Sequence, residues 1–335
     1  MATTTTTLIP SGRSEYYDRT LLERALPELV HDRFGQIRTL PTQNSLVAKF
    51  RRYESLGTTV TPLTEGIPPA STSPSKTDVT ATLATYGAYM EYTDDVELTN
   101  PDPLLTEFAQ LEGEQMGQSI DLLRRNTLVG GTNVTYATGA SRGTVNTIIT
   151  STLLAKAHRT LRSNNAAWIR QMLSGSTKVN TYPIRSCYIA IVHPHVGYDV
   201  RNISGFRGIE EYGTGEAIHE SEIGSLPSAG IRFLESTQAR IYPDAGAAAT
   251  GVGGVAVKST TGTSADVYIT LIFGMNAYGL VPLAGNERKT FLKSRGSSGV
   301  ADPLDQIGTI GWKSKTTQVI LNDNFMTRIE SAATA

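Results

Sequence analysis

The stretch PLTEGIPPASTSPSKTD, residues 62–78, constrains the fold of this chain more than any other part of it. Its four prolines, three serines, three threonines and one glycine leave almost nothing to fill a core, so it reads as loop. Both flanks read as strand, with TTVTPL (58–63) before it and VTATLATYGAYMEYT (79–93) after it. Two strands that meet at a proline-rich tip make a long arm with no evident place on its own body. In the second strand Val79, Ala81 and Leu83 point one way, and then Tyr86, Ala88, Met90 and Tyr92 take over one residue out of phase. The slip near Thr85 predicts a β-bulge beside Gly87.

Charge sharpens the picture. The 335 residues carry a net charge of −1, which by itself points to neither nucleic acid nor membrane. The average hides a segregation. Residues 61–121 hold eleven acids and one base, Lys76, for a net charge of −10. Residues 122–198 hold nine bases and no acid. Adjacent blocks of opposite sign can pair within one molecule or head-to-tail between copies, and the second arrangement favours self-assembly. No run of 18 apolar residues is present, so no bilayer span is expected. MATTTTTLIPSGR has neither the basic nor the apolar region of a secretory signal. Cys187 is the single cysteine, which excludes a disulfide framework and fits a reducing compartment. Without secretion, the NVT at Asn133 is a chance glycosylation match.

The order of elements predicts an α+β fold. A helix is expected over residues 14–35, capped by Ser14 and stopped by Gly35, followed by a mixed extended arm. The longest helix signal covers residues 100–130, with Asn100 or Asp102 as cap, Pro103 in the first turn and Gly130 at the end. Leu104, Phe108, Leu111, Gln115, Ile120 and Leu123 trace its broad stripe, and Ala109, Gly113 and Gly117 form a small-residue row suited to close approach of another backbone. A second helix is expected over 144–165. The strand CYIAIVH is stopped by Pro194, EIGSLPSAGIRFLES reads as loop then strand, and TTQVILN near the end is strand-like. The sequence holds no internal repeat, and the order is not a regular βαβ wind.

Candidate chemistry is thin. GASRG (139–143) matches the G-x-S-x-G nucleophile motif with Ser141, and Asp199 and His219 follow in hydrolase order. The preceding TNVTYAT is too polar for a central hydrolase strand, so a glycine-rich turn is the expected reading. His193 and His195 flank Pro194 but have no third ligand nearby in sequence. GVGGV (251–255) lacks phosphate-loop spacing. Asp94 and Asp95, adjacent in a strand, would face opposite sides and form no dyad. The basic block allows weak, sequence-independent phosphate contact only. No catalytic, cofactor or metal site is expected. The arm, the long helix and the charge blocks fit a lattice subunit instead. The residues set toward a neighbour are then Glu65, Lys76, Val79, Leu83 and Tyr86 on the arm, Asp94 and Asp95 behind it, and Arg124 and Arg125 at the start of the basic block.

Residues 53–332 resemble the tailed-phage major capsid proteins of the Hong Kong 97 fold, and among them the relatives of the phage N-four coat protein. The marks are LTEGIPP (63–69), ATYGAYMEYTDD (84–95), LLRRNTLVGGTNVTYA, YIAIVHPHVGYDVRN, EIGSLPSAGIRFLES, GWKSKTTQVILND and the closing IESA, in that order. The resemblance implies an N-terminal arm (1–56), an extended β-hairpin loop (57–97), a peripheral domain with a spine helix (98–184), an axial domain (185–305) and a return to the peripheral domain (306–335). It implies a homo-oligomer of hexamers and pentamers that encloses double-stranded DNA bound without sequence specificity. Its further partners would be a portal and scaffolding or decoration proteins, and it would assemble in the host cytoplasm into the virion capsid with no membrane. Some members of the wider fold cross-link this loop through a lysine; Lys76 is the lysine here, and the narrower family carries no such signature. An encapsulin-like shell is the alternative within the fold, and a serine esterase using Ser141 the alternative outside it.

Overall fold

The computed structural model describes residues 29–335 apart from 44, 59, 61, 69, 100–103, 170–185, 212–216, 251–253 and 295–302. Most of the expected first helix, the caps Asn100 and Asp102, Pro103 and most of GVGGV lie outside the described residues.

The arm begins as a two-stranded ribbon, but its first strand is not TTVTPL. β2 (Val47–Tyr53) pairs antiparallel with β3 (Lys76–Thr82), after the short β1 (Gln36–Ile37). The described residues of 58–63 form no strand. The reason is visible in the burial. Ala48 and Phe50 point inward against Ala81 and Leu83, while Lys49, Arg51 and Arg52 stay in water. The phase slip is real and its cause differs from the expected bulge. β3 ends at Thr82 and β4 (Ala84–Thr93) begins two residues later with a different partner, the fourteen-residue β14 (Ile307–Ile320). The β4–β14 register is continuous through Gly87. Leu83 is the point at which one extended chain changes sheets, and its N–H bonds to the Leu46 carbonyl at 2.8 Å.

β14 is the centre of a five-stranded sheet. One edge pairs with β4; the other pairs with β12 (Tyr278–Pro282) and β13 (Lys289–Lys293). Behind β4 come α1 (Asp94–Thr99) and then α2 (Leu104–Val129), which packs on β14. Trp312 donates its indole N–H to Gln115 at 2.9 Å, and the Gln318 amide bonds to the Leu123 carbonyl and the Thr127 hydroxyl, each at 2.9 Å. Of the expected stripe on α2, Ile120 is buried and Leu123 half-buried, but Leu111 is exposed. The small-residue row admits a side chain and no backbone. A Cβ on Gly117 would lie 2.9 Å from a Leu29 methyl, and one on Gly113 would meet open space.

The second sheet has eight strands. β5 (Val134–Tyr136), β15 (Met326–Ser331), β11 (Val267–Phe273), β6 (Tyr188–Val192), β9 (Ile231–Glu235), β8 (Glu222–Leu226) and β7 (Arg207–Gly208) lie in that order, with β10 (Ile241–Tyr242) also on β11. Both faces are covered, which explains why every residue of β6 and β11 is buried. On one face α3 (Ser151–Ser163) and α4 (Pro194–Arg201) bring Leu154, Leu161, Val196 and Val200 onto Tyr188, Phe233 and Ile272. On the other, Leu128 and Val30 meet Ile191, Leu271 and Phe273. α3 starts at Ser151, later than the pattern suggested, because the Thr150 hydroxyl caps it by accepting from the Leu153 N–H. Ile148 instead bridges to Ala332. EIGSLPSAGIRFLES is a hairpin, not loop then strand, since β8 and β9 pair across a turn at residues 227–230.

The arm is fastened midway along the β2–β3 ribbon by Phe50, whose ring lies over Gly279 of β12, where a Cβ would come within 2.8 Å of it. Phe50→Ala is expected to cost about 3 kcal/mol. The measurement is denaturant unfolding together with hydrogen exchange, and faster exchange along Val47–Tyr53 with the eight-stranded sheet unchanged is the expected pattern.

Candidate functional site

The features that sequence reading marked for chemistry prove to be structural in their contacts. Ser141 is exposed and stands just before a single turn, Arg142–Thr144, to which its side chain gives no capping hydrogen bond. Gly139 has φ +69°, and a Cβ there would collide with Thr144. The turn serves to aim Arg142. Its Nε and Nη2 donate to the buried Glu330 at 2.7 and 2.8 Å, and its guanidinium lies 3.6 Å over the Tyr242 ring. That bidentate bond holds the Arg142 pKa above its ordinary value. Asp199 accepts from the Thr334 N–H and hydroxyl, and His219 Nδ1 bonds to the Ser221 hydroxyl at 2.8 Å. Neither bond involves Ser141.

His193 and His195 are likewise parts of a helix start. His193 Nδ1 accepts from the His195 N–H at 3.2 Å and caps α4, with Pro194 in the first turn. His195 Nδ1 shares a 3.1 Å hydrogen bond with the Tyr268 hydroxyl. Burial, with His195 and Lys258 adding positive charge nearby, pushes His193 down to about 4. Asp94 and Asp95 open α1 and do not lie in a strand; the Asp94 carboxylate accepts from the Asp95 N–H at 2.9 Å. Burial pushes the Cys187 thiol up to about 12, so it is an inert core residue.

What remains open is surface. The loop between β2 and β3 carries Leu56, Val60, Leu63 and Ile67 into water, with Val60 91% and Leu63 74% exposed. Glu65, Lys76 and Asp95 are exposed, and Val79, Tyr86 and Asp94 are half-buried. Leu83 and Arg124, from the same expected set, have their contacts inside the subunit. Leu83 belongs to the cluster at the arm's base, and Arg124 pairs with Asp32 at 2.7 Å. Arg125 reaches the Gln238 carbonyl at 2.8 Å. Of the basic block, Arg124, Arg125 and Arg142 are thus engaged internally. Lys156, Arg159 and Arg162 share the exposed face of α3.

A family model for phage capsid protein matches residues 76–314. The chain belongs to the phage capsid protein family. The fold agrees over the whole length of this capsid protein. The capsid structure of Ralstonia phage GP4 superposes with a TM-score of 0.68 at 11% identity, covering 100% of this chain and 99% of that one. The head structure of Helicobacter pylori bacteriophage KHP40 gives 0.65 at 11%, covering 99% and 98%. The capsid of Cyanophage P-SCSP1u gives 0.62 at 14%, covering 100% and 96%. No curated protein sequence matches the chain. The molecule is a structural major capsid protein with the Hong Kong 97 type of α+β fold.

The low pKa of His193 gives the capsid protein an acid-sensitive cap. The folded value lies below the unfolded value near 6.5, so its contribution to stability is complete above pH 6.5 and is lost as pH falls toward about 4. His193→Asn, which keeps a capping acceptor, is expected to flatten that part of the stability–pH curve measured by denaturant unfolding.

Proposed function

We propose that this capsid protein assembles as hexamers and pentamers into an icosahedral head around double-stranded DNA. Its arm reaches a neighbouring subunit. The observation that carries this reading is the β2–β3 ribbon, which ends in a loop of exposed apolar residues that the subunit itself leaves uncovered. Residues 1–56 act as an N-terminal arm and 57–97 as the extended loop. Residues 98–184 and 306–335 form the peripheral part, and 185–305 the axial part. Glu65, Lys76, Val79, Tyr86, Asp94 and Asp95 contribute on the loop side, and Arg125 on the basic side. A portal and scaffolding or decoration proteins complete the head, which forms in the host cytoplasm. Among the described residues no helix is long and apolar enough to cross a membrane.

Electron microscopy and analytical ultracentrifugation of the purified protein test the assembly. Capsomers or shells that grow with concentration are expected. A single monomer-sized species at every concentration overturns the reading. Deletion of residues 65–75 is expected to leave the circular dichroism spectrum of a folded subunit, because the described side chains among them are exposed, and to lower shell yield strongly. Shell yield equal to wild type refutes the role of the arm.

The protein acts as structure and not as a hydrolase. A fluorophosphonate probe is expected to leave Ser141 unlabelled, and Ser141→Ala to assemble like wild type. Stoichiometric labelling of Ser141 would restore the esterase alternative.

A further inference from the structure

Strands more than two hundred residues apart in sequence build a cleft on the five-stranded sheet, on the face turned away from α2. Ile310 and Trp312 point toward the helix and are buried. The residues between them point the other way. Gly311 pairs with Tyr89 of β4 on one side and with Phe291 of β13 on the other. Two aromatic rings, 69% and 47% exposed, therefore stand on either side of a position with no side chain. Gly87 extends the bare floor beside Lys313. The glycines also allow the strands to meet, since a Cβ on Gly311 would fall 2.6 Å from the Tyr89 Cβ. The cleft holds about 510 Å³. Lys293 and Lys313 line it, with Lys289 beside Lys313 on the next strand, and among the described residues none of the three has an ion-pair partner; Glu91 is the acid on the same face.

The same chain presents a complement. Residues 54–75 contain no base, and while Glu54 is held by Arg52 and Thr77, Glu65 is exposed at the tip. Ile67 and Pro68 follow it, both exposed. Proline rings are pre-set in φ and lie flat on aromatic faces at low ordering cost. A subunit's own tip is directed away from its own cleft. Lys76 and Tyr89 are thirteen residues apart on one extended path, up to about 40 Å at the strand rise, and the β2–β3 pairing holds the tip at the far end. The occupant is therefore a second copy, in a heterologous contact that repeats without self-pairing.

We propose that residues 65–68 of one copy seat in the Tyr89–Phe291 cleft of the next. Ile67 and Pro68 lie between the rings, and the Glu65 carboxylate faces the lysine rim. The proposal rests on the assembly reading above and gives the arm its receptor.

Oxidation of an Ile67→Cys, Phe291→Cys double variant within assembled shells tests it. Cys187 is buried, with its thiol pushed up to about 12, and does not compete. A covalent ladder on a denaturing gel is expected. Shells that form normally and yield only monomer bands overturn the cleft while leaving the assembly reading intact. A second measurement covers a double variant that fails to assemble. A fluorescent peptide of residues 60–75 is expected to bind the wild-type protein, about tenfold more weakly to Phe291→Ala, and more weakly as salt rises. Equal affinity for wild type and Phe291→Ala, or no binding to wild type, overturns the proposal. Failure of the wild-type protein to form any shell strikes the assembly reading, and the peptide measurement then still decides the cleft.

Discussion

The main chain of β14 is the constraint on which the subunit depends. Fourteen consecutive residues present donors and acceptors on two edges, and each edge must be met. β4 meets one edge over ten residues, and β12 and β13 divide the other. α2 closes one face through Trp312 and Gln318. The chain then runs from β14 through a short turn into β15, the second strand of the eight-stranded sheet. The base of the arm, the long helix and both sheets are thereby referred to one strand. A break in β14 would unfasten all of them together.

A buried polar cluster performs a narrower task. His31 sits wholly inside, and its N–H and Nδ1 both reach the Asp121 carboxylate, at 2.9 and 2.7 Å. Asp32 takes Arg124 at 2.7 Å and Arg288 at 3.0 Å, and the Tyr278 hydroxyl donates to the His31 carbonyl. Such buried pairs contribute little stability over apolar packing and are costly to break on one side. They tie His31 and Asp32 to Asp121 and Arg124 of α2, and His31 and Phe34 to the Tyr278 hydroxyl of β12.

Much of this was legible in the chain. β6 shows as a continuous apolar run because both faces of its sheet are covered, and the phase change in residues 79–92 was visible before its cause was. β2 was obscured because Lys49 and Arg51 line its solvent face and Arg52 follows Phe50 on the other, so that VAKFRRY looks like an exposed linker until its partner strand is known. The slip at Leu83 looked like a bulge because one sequence cannot tell an extra residue from a change of partner. GASRG matched a catalytic pattern because a tight turn that aims a side chain needs small residues whether the side chain is a nucleophile or the arginine that neutralises Glu330. The aromatic cleft left no local signal at all. Tyr89, Phe291 and Gly311 become neighbours only through strand pairing.

Leu83 has a mechanical meaning beyond its place in the core. It is the single residue at which the extended chain passes from the β2 ladder to the β14 ladder. The ribbon beyond it is not a free lever, because Ala48, Phe50 and Ala81 pack with Val281 and Leu283, and the chain before β2 is bridged to Leu283 at Leu40. A pull on the loop between β2 and β3 is therefore carried as shear into the five-stranded sheet.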